Sequence, residues 1–179
     1  MKAGEPIVEM TEQSAPLDFS ELFHANYARI ARVIARVVQD QARAEELAAE
    51  VFWKFWRNPA IQNGNPAGWL YRTGVRMGLD ELRRQNRRRR YEKLLVLFGT
   101  APTPEHLLSE EQEQQQVRRV LSTLKVRDSS LLVLQSDGLS YLEMAEILHL
   151  NETSIGTLLR RAQQAFRKEY VKRYGEPKG

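Results

Sequence analysis

The chain has 179 residues, enough for one domain or two small ones, and 42% of them are hydrophobic, enough for a core. It carries 27 Lys and Arg against 23 Asp and Glu, a net charge of +4, so a polyanionic partner is plausible on charge. The absence of cysteine excludes disulfides, thiolate metal sites and cysteine nucleophiles.

Residues 1–17 are polar, contain Pro6 and Pro16, and read as a flexible tail. No basic-then-apolar leader pattern is present there, and no apolar run approaches the ~20 residues of a membrane span. These features fit a cytoplasmic protein with no membrane insertion.

From Asp18, Leu22, Tyr27, Ile30, Val33, Ile34 and Val37 recur at helical spacing. Asp40 is placed to cap a second helix, in which Leu47, Val51 and Phe55 form an i, i+4, i+8 stripe. Trp53 and Trp56 read as core or interface packing. Asn58-Pro59 ends that helix, and Asn63-Gly-Asn-Pro66 is a loop by composition.

The segment Pro66–Arg90 is a third helix with two faces. Tyr71, Val75, Leu79 and Leu82 share an apolar face, while Trp69, Arg72, Arg76 and Arg83 share another. An aromatic beside a row of guanidiniums suits base stacking and phosphate binding, although an ordinary amphipathic helix with a solvated basic face has the same pattern. The run Arg87–Arg90 reads as a solvated cluster with a non-specific phosphate role.

Residues 91–116 read as a linker. They contain the apolar patch Leu94–Phe98, then Gly99-Thr-Ala-Pro-Thr-Pro104 and a Glu/Gln stretch. Helical spacing resumes at Val117 and continues to Tyr174, leaving 175–179 as a short tail. Strand signals are nearly absent. The expected fold class is all-α, with domains over 18–90 and 117–174 joined by a flexible linker.

The second domain holds the layout of a helix-turn-helix. Ser140 and Glu143 form a capping box, and Leu142, Ala145, Ile147 and Leu148 supply apolar positions for the first helix. Asn151 is placed to cap the second helix, with Ile155, Leu158, Leu159, Ala162 and Phe166 facing inward. In such motifs the start of the second helix enters the major groove, which puts Ser154 and Thr157 near base edges and Arg160 and Arg161 near phosphate or guanine. A plain helical hairpin is the competing reading. The three histidines have no second ligand at metal spacing, so neither a metal nor another cofactor is expected.

Taken together, Ala44-Glu-Glu-Leu-Ala-Ala-Glu-Val-Phe52, Gly68-Trp-Leu-Tyr-Arg-Thr73 and Leu79-Asp-Glu-Leu-Arg-Arg84 resemble region two of the extracytoplasmic-function sigma factors. Leu124–Ala165, with Gly138-Leu-Ser-Tyr-Leu-Glu-Met-Ala-Glu-Ile-Leu148, resembles their region four. The resemblance implies a transcription initiation factor, not an enzyme, whose partners are core RNA polymerase (the β′ clamp helices and the β subunit) and promoter DNA, both duplex and melted single strand. By position, it implies that Glu46, Glu50 and Phe52 lie on the polymerase-binding helix. The 58–66 loop, with Asn63 and Asn65, takes the place of the minus-ten specificity loop. Trp69, Arg72, Arg76 and Arg83 fall along the single-stranded path, and Ser154, Thr157, Arg160 and Arg161 at the minus-thirty-five element. Leu94–Phe98 is a candidate surface for an inhibitory anti-sigma factor, or for packing on either domain.

The chain departs from the family pattern at several positions. Ala49 stands in place of the usual Gln, Arg76 of the common Asn, and Lys125 of the usual Pro; Gly156 and Leu158 replace residues that are usually basic. The alternative function is a helix-turn-helix regulator that does not act as a sigma subunit. It accounts for Ser140–Phe166 but not for the Trp69 helix or the acidic Glu46 helix. A nuclease is a further rival, against which stands the lack of a carboxylate or histidine metal cluster.

Overall fold

The computed structural model describes residues 18–62, 64–97 and 109–176, without the side chains of 62, 90–97 and 109–111. Asn63, the 1–17 tail and the apolar patch Leu94–Phe98 therefore lie outside what is described, wholly or at the side-chain level. Every regular element among the described residues is a helix.

The first helix, α1 (Phe19–Val38), starts where Asp18 accepts from the backbone N–H groups of Ser20 and Glu21. It ends where Gln39 takes a left-handed conformation with φ of 54°. Asp40 then caps α2 (Gln41–Trp56) by accepting from Arg43 N. A short turn of helix, α3 (Pro59–Gln62), occupies part of the segment expected as loop.

The long helix α4 (Pro66–Leu97) starts with Pro at its first position and with Asn65 Oδ1 accepting from Gly68 N at 2.8 Å. Tyr71, Val75, Leu79 and Leu82 are all buried, as their spacing predicts, and Leu70 joins them. Gly74 allows α4 to lie close against α1, since a β-carbon there would stand 3.0 Å from Ile30 Cγ2.

The linker expected over 91–116 is shorter than its composition suggests. Helix α4 runs on to Leu97, and α5 (Ser109–Thr123) begins well before Val117. Arg, Lys, Leu, Glu and Gln are all good helix formers, and neither Gly nor Pro interrupts these stretches. Only 98–108, which holds Gly99, Pro102 and Pro104, separates the two helices.

In the second half, α6 (Val126–Ser136) leads through Gly138, at φ of 82°, into α7 (Tyr141–Leu148) and α8 (Glu152–Tyr174). The capping box forms in full: Ser140 Oγ accepts from Glu143 N, and Glu143 Oε2 accepts from Ser140 N at 2.8 Å. Asn151 caps α8 by accepting from Thr153 N. Met144, Ala145 and Ile147 form the inward side of α7, whereas Leu142, expected inside, is exposed because it falls on the opposite side of this short helix.

The two halves pack together. Helix α4 lies between α1 and α2 on one side and α5, α6 and α7 on the other, while α6 also touches α1. Buried residues of both halves, from Ile30 to Leu159, form one contiguous apolar cluster.

Candidate nucleic-acid interface

The first candidate surface is the start of α8. Ile155, Leu159 and Ala162 are buried against α6 and α7. This stripe turns Ser154, Thr157, Arg160 and Arg161 to solvent on the opposite side. The helix thus presents two hydroxyls and two guanidiniums within about three turns of its N-terminus. That arrangement suits donors and acceptors reaching into a major groove between phosphate contacts. At Gly156 an added β-carbon would only touch the Tyr141 ring at 3.4 Å, so packing does not require glycine there.

The second surface lies on α4. Trp69, Arg72 and Arg76 come together with Lys54 and Asp80 around a depression of about 390 Å³. Trp69 is half-buried, its ring 5.8 Å from that of Phe55 and tilted by 51°. Arg76 is exposed. Arg72 is half-buried and donates from Nη1 to the carbonyl of Ile147, in the last turn of α7, at 3.0 Å. Desolvation at this position lowers its pKa from the ordinary guanidinium value.

Arg83 does not join this depression. It donates from Nε to Ser122 O at 3.3 Å and from Nη2 to Leu124 O at 3.4 Å, and it pairs with Asp80 at 3.1 Å. The helical wheel puts it beside Arg72 and Arg76, but in the packed structure α5 ends against it. In this arrangement Arg83 serves the packing of the halves and is not open for a strand. Asn65 is exposed, with its side-chain oxygen engaged as the α4 cap.

The third surface is the outer face of α2. Glu46 and Glu50 are exposed and locally paired, with Arg43 at 2.8 Å and Lys54 at 2.7 Å. Arg43 also reaches Glu81 at 3.1 Å; hydrogen bonds to Glu46 and then Glu81 raise its pKa. Phe52 does not share this face. It is 2% exposed and packs among Phe19, Phe23 and Tyr27, its ring 4.9 Å from that of Phe23. The aromatics that do reach solvent from α2 are Trp53 and Trp56, at 58% and 55% exposure, so neither is core. Trp53 lies under the Arg57 guanidinium and Trp56 meets the Phe19 ring edge-on at 4.9 Å.

Tyr71, two residues after Trp69 on the same helix, belongs to the core. Burial raises its phenol pKa, and Arg29 stands 5.3 Å from the ring centroid. Periodicity did not single out Arg118. It is 7% exposed and donates from Nε to Val37 O at 2.9 Å and from Nη2 to Val38 O at 2.6 Å. Further bonds reach Gln85 Oε1 at 2.9 Å and Gln39 Oε1 at 3.0 Å. The available signal was its place beside the apolar Val117–Val120–Leu121 stripe of α5, which does not reveal what lies opposite.

Among the described residues no group of three His, Cys, Asp or Glu side chains is placed to hold a metal ion. No helix among them is long and apolar enough to cross a membrane.

Residues 22–88 match the Sigma-70 region 2 family and residues 114–165 match Sigma-70, region 4. The chain is 26% identical over 157 residues to the ECF RNA polymerase sigma factor SigK of Mycolicibacterium vanbaalenii, covering 84% of this chain and 80% of that protein. It is 27% identical over 182 residues to the ECF RNA polymerase sigma factor SigE of Mycolicibacterium smegmatis, covering 97% and 70%. Among solved structures it is similar to the sigma factor RpoE in complex with the anti-sigma factor NepR from Bartonella quintana, with 18% identity, a TM-score of 0.46, and coverage of 85% of this chain and 96% of that one. With both regions matched in order, the chain belongs to the sigma-70 family as an extracytoplasmic-function sigma factor, a subunit that directs transcription initiation.

Proposed function

We propose a residue-level division of labour for this sigma subunit. The start of α8 reads the minus-thirty-five duplex through Ser154, Thr157, Arg160 and Arg161. The Trp69–Arg72–Arg76 depression takes bases and phosphates of the melted minus-ten strand. The outer face of α2, with Glu46 and Glu50, docks on the clamp helices of the polymerase β′ subunit, and Trp53 rather than Phe52 supplies its exposed aromatic. An anti-sigma factor is a further partner of the same kind that the Bartonella relative binds.

The observation that carries this reading is the exposure of all four α8 side chains above a fully buried Ile155–Leu159–Ala162 stripe. The α4 depression supports the single-strand role, because it joins an aromatic face to two guanidiniums. Melting then needs no covalent chemistry: tighter binding to the open strand than to duplex shifts the equilibrium toward the open complex.

Transcription in vitro with purified core polymerase over a genomic fragment library tests the assignment. Start sites sharing two spaced elements are the expected result. Failure to form a complex with core polymerase at modest salt would overturn the polymerase-binding assignment.

A further inference from the structure

Gly156 stands among the α8 side chains assigned to the duplex, yet neither backbone conformation nor packing accounts for it. It is the fifth residue of the helix, and only proline is a poorer helix former than glycine. Among the described residues the glycines with a positive φ are Gly138 and Gly175, so the backbone at Gly156 is open to any residue. A β-carbon there would stand 3.4 Å from Tyr141 Cε2 and 3.9 Å from its hydroxyl, which is ordinary contact. A glycine that the fold itself does not need suits the close approach of another molecule to the helix backbone.

The space over Gly156 has a floor and a wall. The floor is helix backbone, whose polar groups are engaged along the helix. The wall is the Tyr141 ring, which reaches α8 from the first position of α7 and is still 48% exposed. Thr153 and Arg160, three residues before and four after, border the recess on the helix surface, and both are exposed. The nearest wall atom is a ring carbon, with the hydroxyl further off. A phosphate or a base-edge oxygen lodged on this floor would lose water without gaining a partner. The thymine methyl is the apolar group that a major groove presents, and apolar contact is how it is read.

We propose that Gly156 and Tyr141 form a recess that seats one thymine methyl group, which makes them specificity-determining residues of the minus-thirty-five contact. The inference rests on the reading of α8 as the helix that meets the duplex. Arg160, one turn beyond Gly156, is then placed for a guanine or phosphate beside that thymine. One stretch of α8 thus reads an apolar mark and a polar one side by side.

The test uses the full chain bound to core RNA polymerase. Duplexes that this complex retains from a random-sequence library are sequenced, and each thymine of the upstream element is replaced in turn by deoxyuracil, which lacks only the methyl. One position is expected at which the replacement weakens binding about fourfold, the factor that follows from burying one such group. Gly156→Lys fills the recess and Tyr141→Ala removes its wall. Each is expected to bring the affinity ratio between the thymine and deoxyuracil duplexes close to one. The ratio is taken within each variant, so added charge or a general loss of affinity cancels. Should Tyr141→Ala lose helicity by circular dichroism, Gly156→Ala decides, because alanine favours the helix and its methyl already occupies the floor. A reduced ratio is expected there as well.

An upstream element with no thymine on either strand, or thymines that all tolerate deoxyuracil in the unaltered chain, would overturn the recess and leave duplex reading by α8 standing. A methyl effect that persists in full in Gly156→Lys would place the methyl elsewhere and overturn it too. Selection of no upstream element at all would overturn the reading of α8 itself, and the recess with it.

Discussion

Helix α8 and helix α4 carry similar basic and polar side chains, yet the structure treats them differently. On α8, Ser154, Thr157, Arg160 and Arg161 all face solvent. On α4, Trp69 leans on Phe55, Arg72 is bonded to α7, and Arg83 is bonded to the end of α5. The reason is position in the fold. Helix α8 uses a single stripe, Ile155–Leu159–Ala162, against its neighbours at this end, which leaves the rest of its circumference open. Helix α4 is central, with α1 and α2 on one side and α5, α6 and α7 on the other. A basic face on a peripheral helix is a surface; on a central helix the same face becomes part of a junction.

The comparison is broken most sharply at Phe52. If this ring belongs to the core, Phe52→Ala destabilises the N-terminal half by about 3–5 kcal/mol, measured by denaturant unfolding. A stable variant with impaired polymerase binding would instead return Phe52 to the docking face.

The peripheral side of the comparison is tested at Arg160 and Arg161. Replacing both with Ala is expected to weaken duplex binding by about 1–3 kcal/mol for each side chain that meets guanine. The salt dependence should become shallower by about one for each that meets phosphate. Folding stability should hardly move, because both side chains are exposed. An unchanged salt slope would mean that these guanidiniums face away from DNA.

For the central side, Trp69→Ala is expected to cost about 1–3 kcal/mol in binding the melted strand. Open-complex formation on a supercoiled template should suffer more than closed-complex binding. Equal loss at both stages would reduce Trp69 to a packing residue on Phe55.

The smallest effect concerns the cap that orients the helix-turn-helix. Hydrogen bonds from the Ser140 backbone, and then its side chain, hold the Glu143 carboxyl below its ordinary pKa. A pKa lowered on folding gives stability that is present above the unfolded value and is lost as pH falls through the folded one. The C-terminal half should therefore weaken on acidification below the usual carboxylate range. Ser140→Ala is expected to cost about 1 kcal/mol at neutral pH and to flatten that acid dependence. Retention of the full acid dependence in Ser140→Ala would assign it to other carboxylates.

Much of the local structure was legible in the residues. Asp40, Ser140 and Asn151 cap where their chemistry says they should, because an N-cap bond involves atoms only two or three residues apart. The apolar faces of α1, α4 and α8 follow from spacing alone. The linker was misjudged because a run of Arg or Glu looks like a solvated spacer by composition, whereas helix propensity favours continuing the turn. At Phe52 and Trp53 the sequence could not separate two adjacent aromatics on one helix. A shift of about 100° decides which is buried, and that angle is set by where α1 lies.

The sequence by itself determined the helices, their caps, their inward faces and the two-region pattern that places the chain in its family. All of these depend on periodicity and on bonds between near neighbours. Only the tertiary structure decided which basic side chains remain open. Arg36, Arg72, Arg83 and Arg118 look like any solvated arginine in the sequence, and their acceptors lie about 40 to 100 positions away along the chain. Backbone carbonyls carry no residue-specific signature, so a helix end awaiting a guanidinium from the other half becomes visible only once the two halves are packed.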